Sequence, residues 1–130
     1  MRVFVYGTLK RGFGNNYFLS NSEFISTGFT IEKFVMFNVG FPIVTYPTNK
    51  TDKFKGNITG ELYEISDKDI IEIDDLEGHP HWYKRIKTKI SDGKLAWIYV
   101  QQPSQIESFA EIILPRNGLL TFSRKLKLVE

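Results

Sequence analysis

Two short stretches hold most of the residues able to do chemistry: VYGTLKRGFG near the start of the chain and DDLEGHPH in its middle. In the second, Glu77 is the residue of interest. A carboxyl group placed among apolar side chains has a raised pKa, which suits it to accept a proton near neutral pH and return it later. Its neighbours Asp74, Asp75, His79 and His81 mix acids with imidazoles, as metal sites do, but no HExxH or comparable ligand spacing is present, so no metal is expected. A glycosidase pair of Glu77 with Asp74 would sit too close, three residues apart on one helix, to flank a sugar bond. In the first stretch, a strand-like run ending at Tyr6 feeds a loop with glycines at Gly7, Gly12 and Gly14. A phosphate loop of this spacing needs Lys and then Ser or Thr after the second glycine. Phe13 and Gly14 follow instead, which leaves an ordinary turn or a cradle for some other anion.

A nucleophilic route through the protein is poorly supplied. The chain has no cysteine, which excludes a thiolate nucleophile, a disulfide framework and a Cys-ligated zinc. Neither histidine has a serine-elbow context. The net charge of +2 gives no strong field toward nucleic acid or anionic membrane. Lys84, Arg85, Lys87 and Lys89 with Trp82, Tyr83 and Trp97 form a basic aromatic set that could stack on single strands. A solvated edge strand carries the same residues for a different reason, to discourage pairing with other chains, and is the preferred reading. No apolar run approaches the ~20 residues that span a bilayer, and no charged-then-apolar leader precedes the first strand. These features fit a cytoplasmic, single-domain protein over residues 1–130 with no membrane or nucleic-acid partner.

The elements that must position these residues are mostly strands. RVFVY is the first; FISTGFTIEKFVMFNVG supplies one or two; FPIVTYP, NITGELYEI, YKRIKTKI and KLAWIYVQQ follow, with Ser91–Asp92–Gly93 as a hairpin turn. YPTNKTDKFKGN reads as a surface loop. One helix is clear, over SDKDIIEIDDLEG. Ser66 is an N-cap with Asp69 in capping-box position, Asp67 favours the positive end, Gly78 stops the helix and Pro80 prevents its continuation. At about 100° per residue, Ile70, Ile71, Ile73 and Leu76 define an apolar stripe, and Glu77 lies roughly 20° from its centre. Asp74 lies at the stripe's margin, Glu72 and Asp75 on the far face. From the helix alone, Glu77 is either a salt-bridged structural residue, with Arg85 as the partner at hand, or a proton-exchanging group in an apolar pocket. Many strands, one helix and short turns predict an α+β domain on a strongly curved sheet or small barrel.

VYGTLKRG after the first strand, TGELYEI before the helix, DDLEG at its end and YKR in the next strand together resemble the γ-glutamylcyclotransferase-like superfamily. Their order is similar above all to its short branch of γ-glutamylamine cyclotransferases and AIG2-like proteins. The likeness runs from Met1 to about Gln101, with FPIV and AWIYV inside it; the last thirty residues carry no motif. It implies a small mixed β-barrel with a central cavity and a cofactor-free reaction on a small γ-glutamyl substrate. In that reaction the substrate's own α-amine attacks its γ-carbonyl, releasing 5-oxoproline and an amine. By the same resemblance Glu77 is the general acid/base. Tyr6, Gly7, Thr8 and Leu9 border the substrate, and Tyr83, Arg85 and Tyr99 are supporting binding residues. The other function compatible with these residues is a non-catalytic module that binds a small ligand in the same cavity.

Overall fold

The computed structural model describes residues 1–123; the basic RKLK run of the tail lies outside them. The strands are β1 (Arg2–Val5), β2 (Glu23–Asn38), β3 (Pro42–Thr45), β4 (Gly56–Glu64), β5 (Lys84–Lys89), β6 (Leu95–Val100), β7 (Glu111–Ile112) and β8 (Leu119–Leu120), with the helix α1 at Asp67–Glu77. They form one sheet in the order β3-β2-β4-β1-β6-β5, with β7 added to β2 and β8 to β4. The expected closed barrel is not what forms. The ladder is open, with β3 and β5 at its ends, and among the described residues isolated bridges at Thr45–Gln101 and Thr30–Ile90 draw separated strands together.

The curvature comes from β2. EFISTGFTIEKFVMFN is one strand of 16 residues, whose first part pairs antiparallel with β4 and whose last four residues pair with β3. Register shifts between Phe24 and Ser26 and between Phe29 and Lys33 accompany this change of partner, as irregular ladders bend and twist a strand. The C-terminal segment, silent in sequence, adds β7 beside Phe37 and Asn38 and β8 parallel to Asn57 and Ile58.

β1 lies inside the sheet, antiparallel to β4 and parallel to β6, and is buried on both faces. Phe4 packs with Phe34, Met36, Ile58, Leu62, Ile98 and Leu120 on one side. Val3 and Val5 pack with Ile65, Ile70 and Ile73 on the other, which seats α1 on the sheet. The helix begins and ends on its predicted signals: Ser66 Oγ accepts from the Asp69 N–H at 3.1 Å, and Gly78 takes φ 66°. Its apolar stripe is narrower than expected. Ile70 and Ile73 are buried, but Ile71 is 66% exposed, because the sheet meets only one edge of the helix.

Where β1, β2 and β4 run side by side, Gly60 brings the chains closest. A Cβ built there would lie 2.3 Å from the Val5 carbonyl oxygen and 2.8 Å from the Phe4 ring. Gly60→Ala is therefore expected to lower the unfolding free energy by about 1–3 kcal/mol, read from the urea midpoint. Gly14→Ala, where an added methyl meets nothing within 4 Å, is expected to change it by about 0.5 kcal/mol or less.

Candidate active site

The end of β1 opens into a cavity of about 230 Å³, small beside the roughly 300–1,000 Å³ of drug-sized sites. Tyr6, Gly7, Thr8 and Leu9 line it from the β1 end, Phe41 and Pro42 from the start of β3, Leu76 and Glu77 from the last turn of α1, Trp82 and Tyr83 from the turn beyond, and Tyr99 from β6. Seven of the eight residues expected at the site thus meet around one hollow.

The eighth does not. Arg85 is absent from the lining, and its partner is Asp74 rather than Glu77: Nε donates to Oδ1 at 2.8 Å and the second guanidinium contact is 3.0 Å. The Arg85 guanidinium also lies 4.7 Å from the Trp97 ring centre. Tyr99 adds a third hydrogen bond to Asp74, at 2.6 Å. Partial burial works against the charge of Asp74, but the bonds from Arg85 and Tyr99 hold its carboxyl below the ordinary range. One helix thus carries two unlike acids three residues apart: Asp74 kept ionised by its partners, Glu77 left without any among the described residues.

Among the described residues the Glu77 carboxylate accepts no hydrogen bond and meets no cation. Burial alone raises its pKa from 4.5 to about 7. Burial is also the first cause that raises the pKa values of Tyr6, Tyr83 and Tyr99, so all three remain neutral phenols. Their protons are already placed: Tyr6 donates to the Tyr99 carbonyl at 2.6 Å, Tyr83 to the Pro42 carbonyl at 2.9 Å, and Tyr99 to Asp74. These bonds tie β1, β3, β6 and α1 into one wall.

The glycine loop is tied down from behind. The carbonyls of Gly7, Thr8 and Leu9 accept from Lys10 N–H, Asn15 N–H and Asn16 Nδ2 at 3.0, 3.0 and 2.8 Å. Asn15 Nδ2 also holds the Thr8 hydroxyl at 2.9 Å, and the buried Glu61 receives the Arg11 N–H at 2.9 Å and the Tyr63 hydroxyl at 3.0 Å. The N–H groups of Gly7, Thr8 and Leu9, by contrast, find no acceptor among the described residues. A segment with its carbonyls satisfied and its N–H groups free is a cradle for an anionic oxygen. The special need for glycine at position 7 is space rather than dihedral freedom. Its φ is not positive, and a Cβ there would sit 2.6 Å from Pro42 Cγ.

Asn15, Phe41, Pro42, Leu76 and Trp82 were not anticipated as lining residues. FPIV and DDLEG contain three of them, Phe41, Pro42 and Leu76, but only the fold shows that Phe41 and Trp82 flank the same opening.

The chain matches the profile of the family described as gamma-glutamyl cyclotransferase, AIG2-like, over residues 3–115. It is 43% identical over 102 residues to a Methanocaldococcus jannaschii protein provisionally named a gamma-glutamylcyclotransferase, covering 75% of this chain and 81% of that one. It is 30% identical over 102 residues to the gamma-glutamylcyclotransferase family protein YtfP of Escherichia coli, covering 78% and 83%. Among solved structures, an AIG2-like protein from Mus musculus superposes with a TM-score of 0.67 at 28% identity, covering 77% of this chain and 76% of the mouse chain.

The half-buried acid should leave a mark on stability that needs no substrate. The folded-state pKa of Glu77 is about 7 against an ordinary 4.5, so between these values the folded protein binds more protons than the unfolded chain. Stability from this group is complete below about pH 4.5 and is lost as pH rises to about 7. Glu77→Gln removes the titration while keeping the shape. The variant's unfolding free energy relative to wild type is therefore expected to climb between about pH 4.5 and 7 by roughly 2–4 kcal/mol, then level off. Denaturant titrations of both proteins across this range check it; a pH-independent difference refutes it.

Proposed function

The chain belongs to the AIG2-like γ-glutamylcyclotransferase family, and from that footing we propose that it cyclises a γ-glutamyl amide to 5-oxoproline and a free amine, with Glu77 as general acid/base. The observation that carries this reading is the pairing, in one cavity, of an unpartnered carboxyl group of raised pKa with a row of free backbone N–H groups.

The reaction is intramolecular. The substrate α-amine attacks the γ-carbonyl carbon, a C–N bond forms, and the carbonyl oxygen takes up negative charge. Glu77, ionised at the start, accepts the proton that the attacking nitrogen loses. The tetrahedral carbon then collapses, the original amide C–N bond breaks, and the same proton passes from Glu77 to the departing nitrogen. Every atom of the substrate appears in the two products, the carboxylate returns to its first state, and no cofactor is required. A single group can serve both directions because its pKa lies near the working pH.

The remaining parts of the wall have matching tasks. The N–H groups of Gly7, Thr8 and Leu9 supply donors for an anionic oxygen of the substrate, either its α-carboxylate or the oxyanion at the tetrahedral carbon. Donors fixed in advance stabilise developing charge without reorganising. The loop behind them is held by Asn15, Asn16 and Glu61. Tyr6, Tyr83 and Tyr99, their protons committed elsewhere, turn neutral surfaces toward the glutamyl chain, and the small cavity favours the folded shape in which amine and carbonyl meet. Such orientation can supply several kcal/mol of barrier lowering. Arg85 acts on this site only through Asp74 and Tyr99.

The test is release of 5-oxoproline from γ-glutamyl amides by the purified protein. Wild type is expected to turn over. Glu77→Gln is expected to lose on the order of 10²–10⁴ in kcat with an unchanged far-UV circular dichroism spectrum. The wild-type kcat/KM is expected to fall as pH drops below about 7, because the base must be ionised. Turnover retained in the folded Glu77→Gln variant would overturn the assignment, and saturable binding without release would identify a non-catalytic module instead.

A further inference from the structure

The cavity has two ends of different chemistry. Inside, Glu77, the three tyrosines and the Gly7–Leu9 amides are polar. At the mouth, Phe41, Leu76 and Trp82 are apolar and uncovered, at 37%, 40% and 53% exposure. Among the described residues no Lys, Arg or His lines any part of it, and Glu77 is its one acid.

Resting on the cyclisation just proposed, we infer that the mouth is the subsite of the leaving amine and selects an apolar, preferably aromatic, amine over an amino acid. Once the glutamyl group lies between Glu77 and the donor row, the other substituent of its γ-amide must leave through the opening. An amino-acid leaving group brings a carboxylate to within a few bonds of Glu77. No cation of the lining meets that charge, and two carboxylates in one poorly hydrated site repel each other. An arylalkyl substituent on the neutral amide has no such cost, and it covers surface on Phe41, Leu76 and Trp82 that is otherwise open to water.

Trp82 is built for this place. Its backbone N–H donates to the Gly78 carbonyl at 2.8 Å, and its Cβ lies where a side chain at position 78 would have to be, 2.8 Å from a Cβ built on that glycine. Gly78 therefore both ends α1 after Glu77 and lets the indole fold back over the acid's end of the helix. From the far side, Gln105 Nε2 donates to the carbonyls of His81 and Trp82 at 3.0 and 3.2 Å. The ring is exposed while its backbone is strapped at two points, the arrangement of a fixed contact surface rather than of a loose surface residue.

The experiment compares three substrates with the purified wild-type protein: γ-glutamylbenzylamide, γ-glutamylmethylamide and γ-glutamylglycine. The expected order of kcat/KM places benzylamide about tenfold or more above methylamide, with γ-glutamylglycine lowest. In Trp82→Ala the benzylamide-to-methylamide ratio is expected to collapse toward one. The inference is overturned if γ-glutamylglycine matches or exceeds the benzylamide, or if the ratio survives in Trp82→Ala. A second readout does not depend on turnover. Binding of the benzylamide to Glu77→Gln should change tryptophan emission saturably, at lower concentration than the methylamide, and the change should be lost when Trp82→Phe is added. Release from γ-glutamylglycine alone would sink this inference and leave the cyclisation standing. Absence of release from all three, with the emission change present, would sink the cyclisation and leave the apolar subsite; absence of both removes each.

Discussion

A half-buried carboxyl group with no compensating cation among the described residues is the constraint on which the rest of the site depends. Its desolvation is unfavourable to the charged form and is tolerated only because the surrounding fold is fixed by other contacts. Ile70 and Ile73 hold α1 on β1, Gly78 ends the helix directly after the acid, and Tyr83 closes the far side by bonding to the Pro42 carbonyl. The obvious neutralising partner, Arg85, is taken up by Asp74 in a two-point contact. The helix therefore separates the two acids by partnership as well as by position: one anchors the wall through Arg85 and Tyr99, and the other has no partner among the described residues.

The same logic governs the loop opposite. A chain leaving a buried strand has N–H and C=O groups that no longer face a ladder, and ordinarily both find partners. Here the carbonyls do and, among the described residues, the N–H groups of three successive residues do not. The polarity of the segment is thereby sorted, its carbonyls bonded and its N–H groups without an acceptor among the described residues, and it lines the same cavity as the Glu77 carboxyl. In the proposed reaction, donor row and acid would complement each other across a substrate that carries both an anionic oxygen and an exchangeable proton.

Much of this was legible from local pattern. The stop at Gly78 and a rotation of about 100° per residue suffice to turn Glu77 inward, and the break after Tyr6 marks the loop that lines the cavity. What was not legible depends on long-range pairing. Ile71 belongs to the apolar stripe by periodicity, yet only the breadth of the sheet decides how wide a stripe is covered, and it stays exposed. Arg85 could have paired with either Glu77 or Asp74, and only the placement of β5 against the helix decides for Asp74. A barrel was expected from the number of strands, but closure requires β3 and β5 to pair along their length, and they do not. The β7 and β8 strands have two residues each and exist only because β2 and β4 present free edges to them. Trp82, two residues beyond Pro80, carries no local mark of its place at the mouth.

The account rests on the ionisation of one side chain, and carbon-13 NMR of the glutamate Cδ resonances measures it directly, with Glu77 assigned by its disappearance in Glu77→Gln. A midpoint near pH 7 in the folded, ligand-free protein is the predicted result. A midpoint near the ordinary 4.5 would show a solvated carboxylate, and the proton-exchange role built on its burial would fall with it.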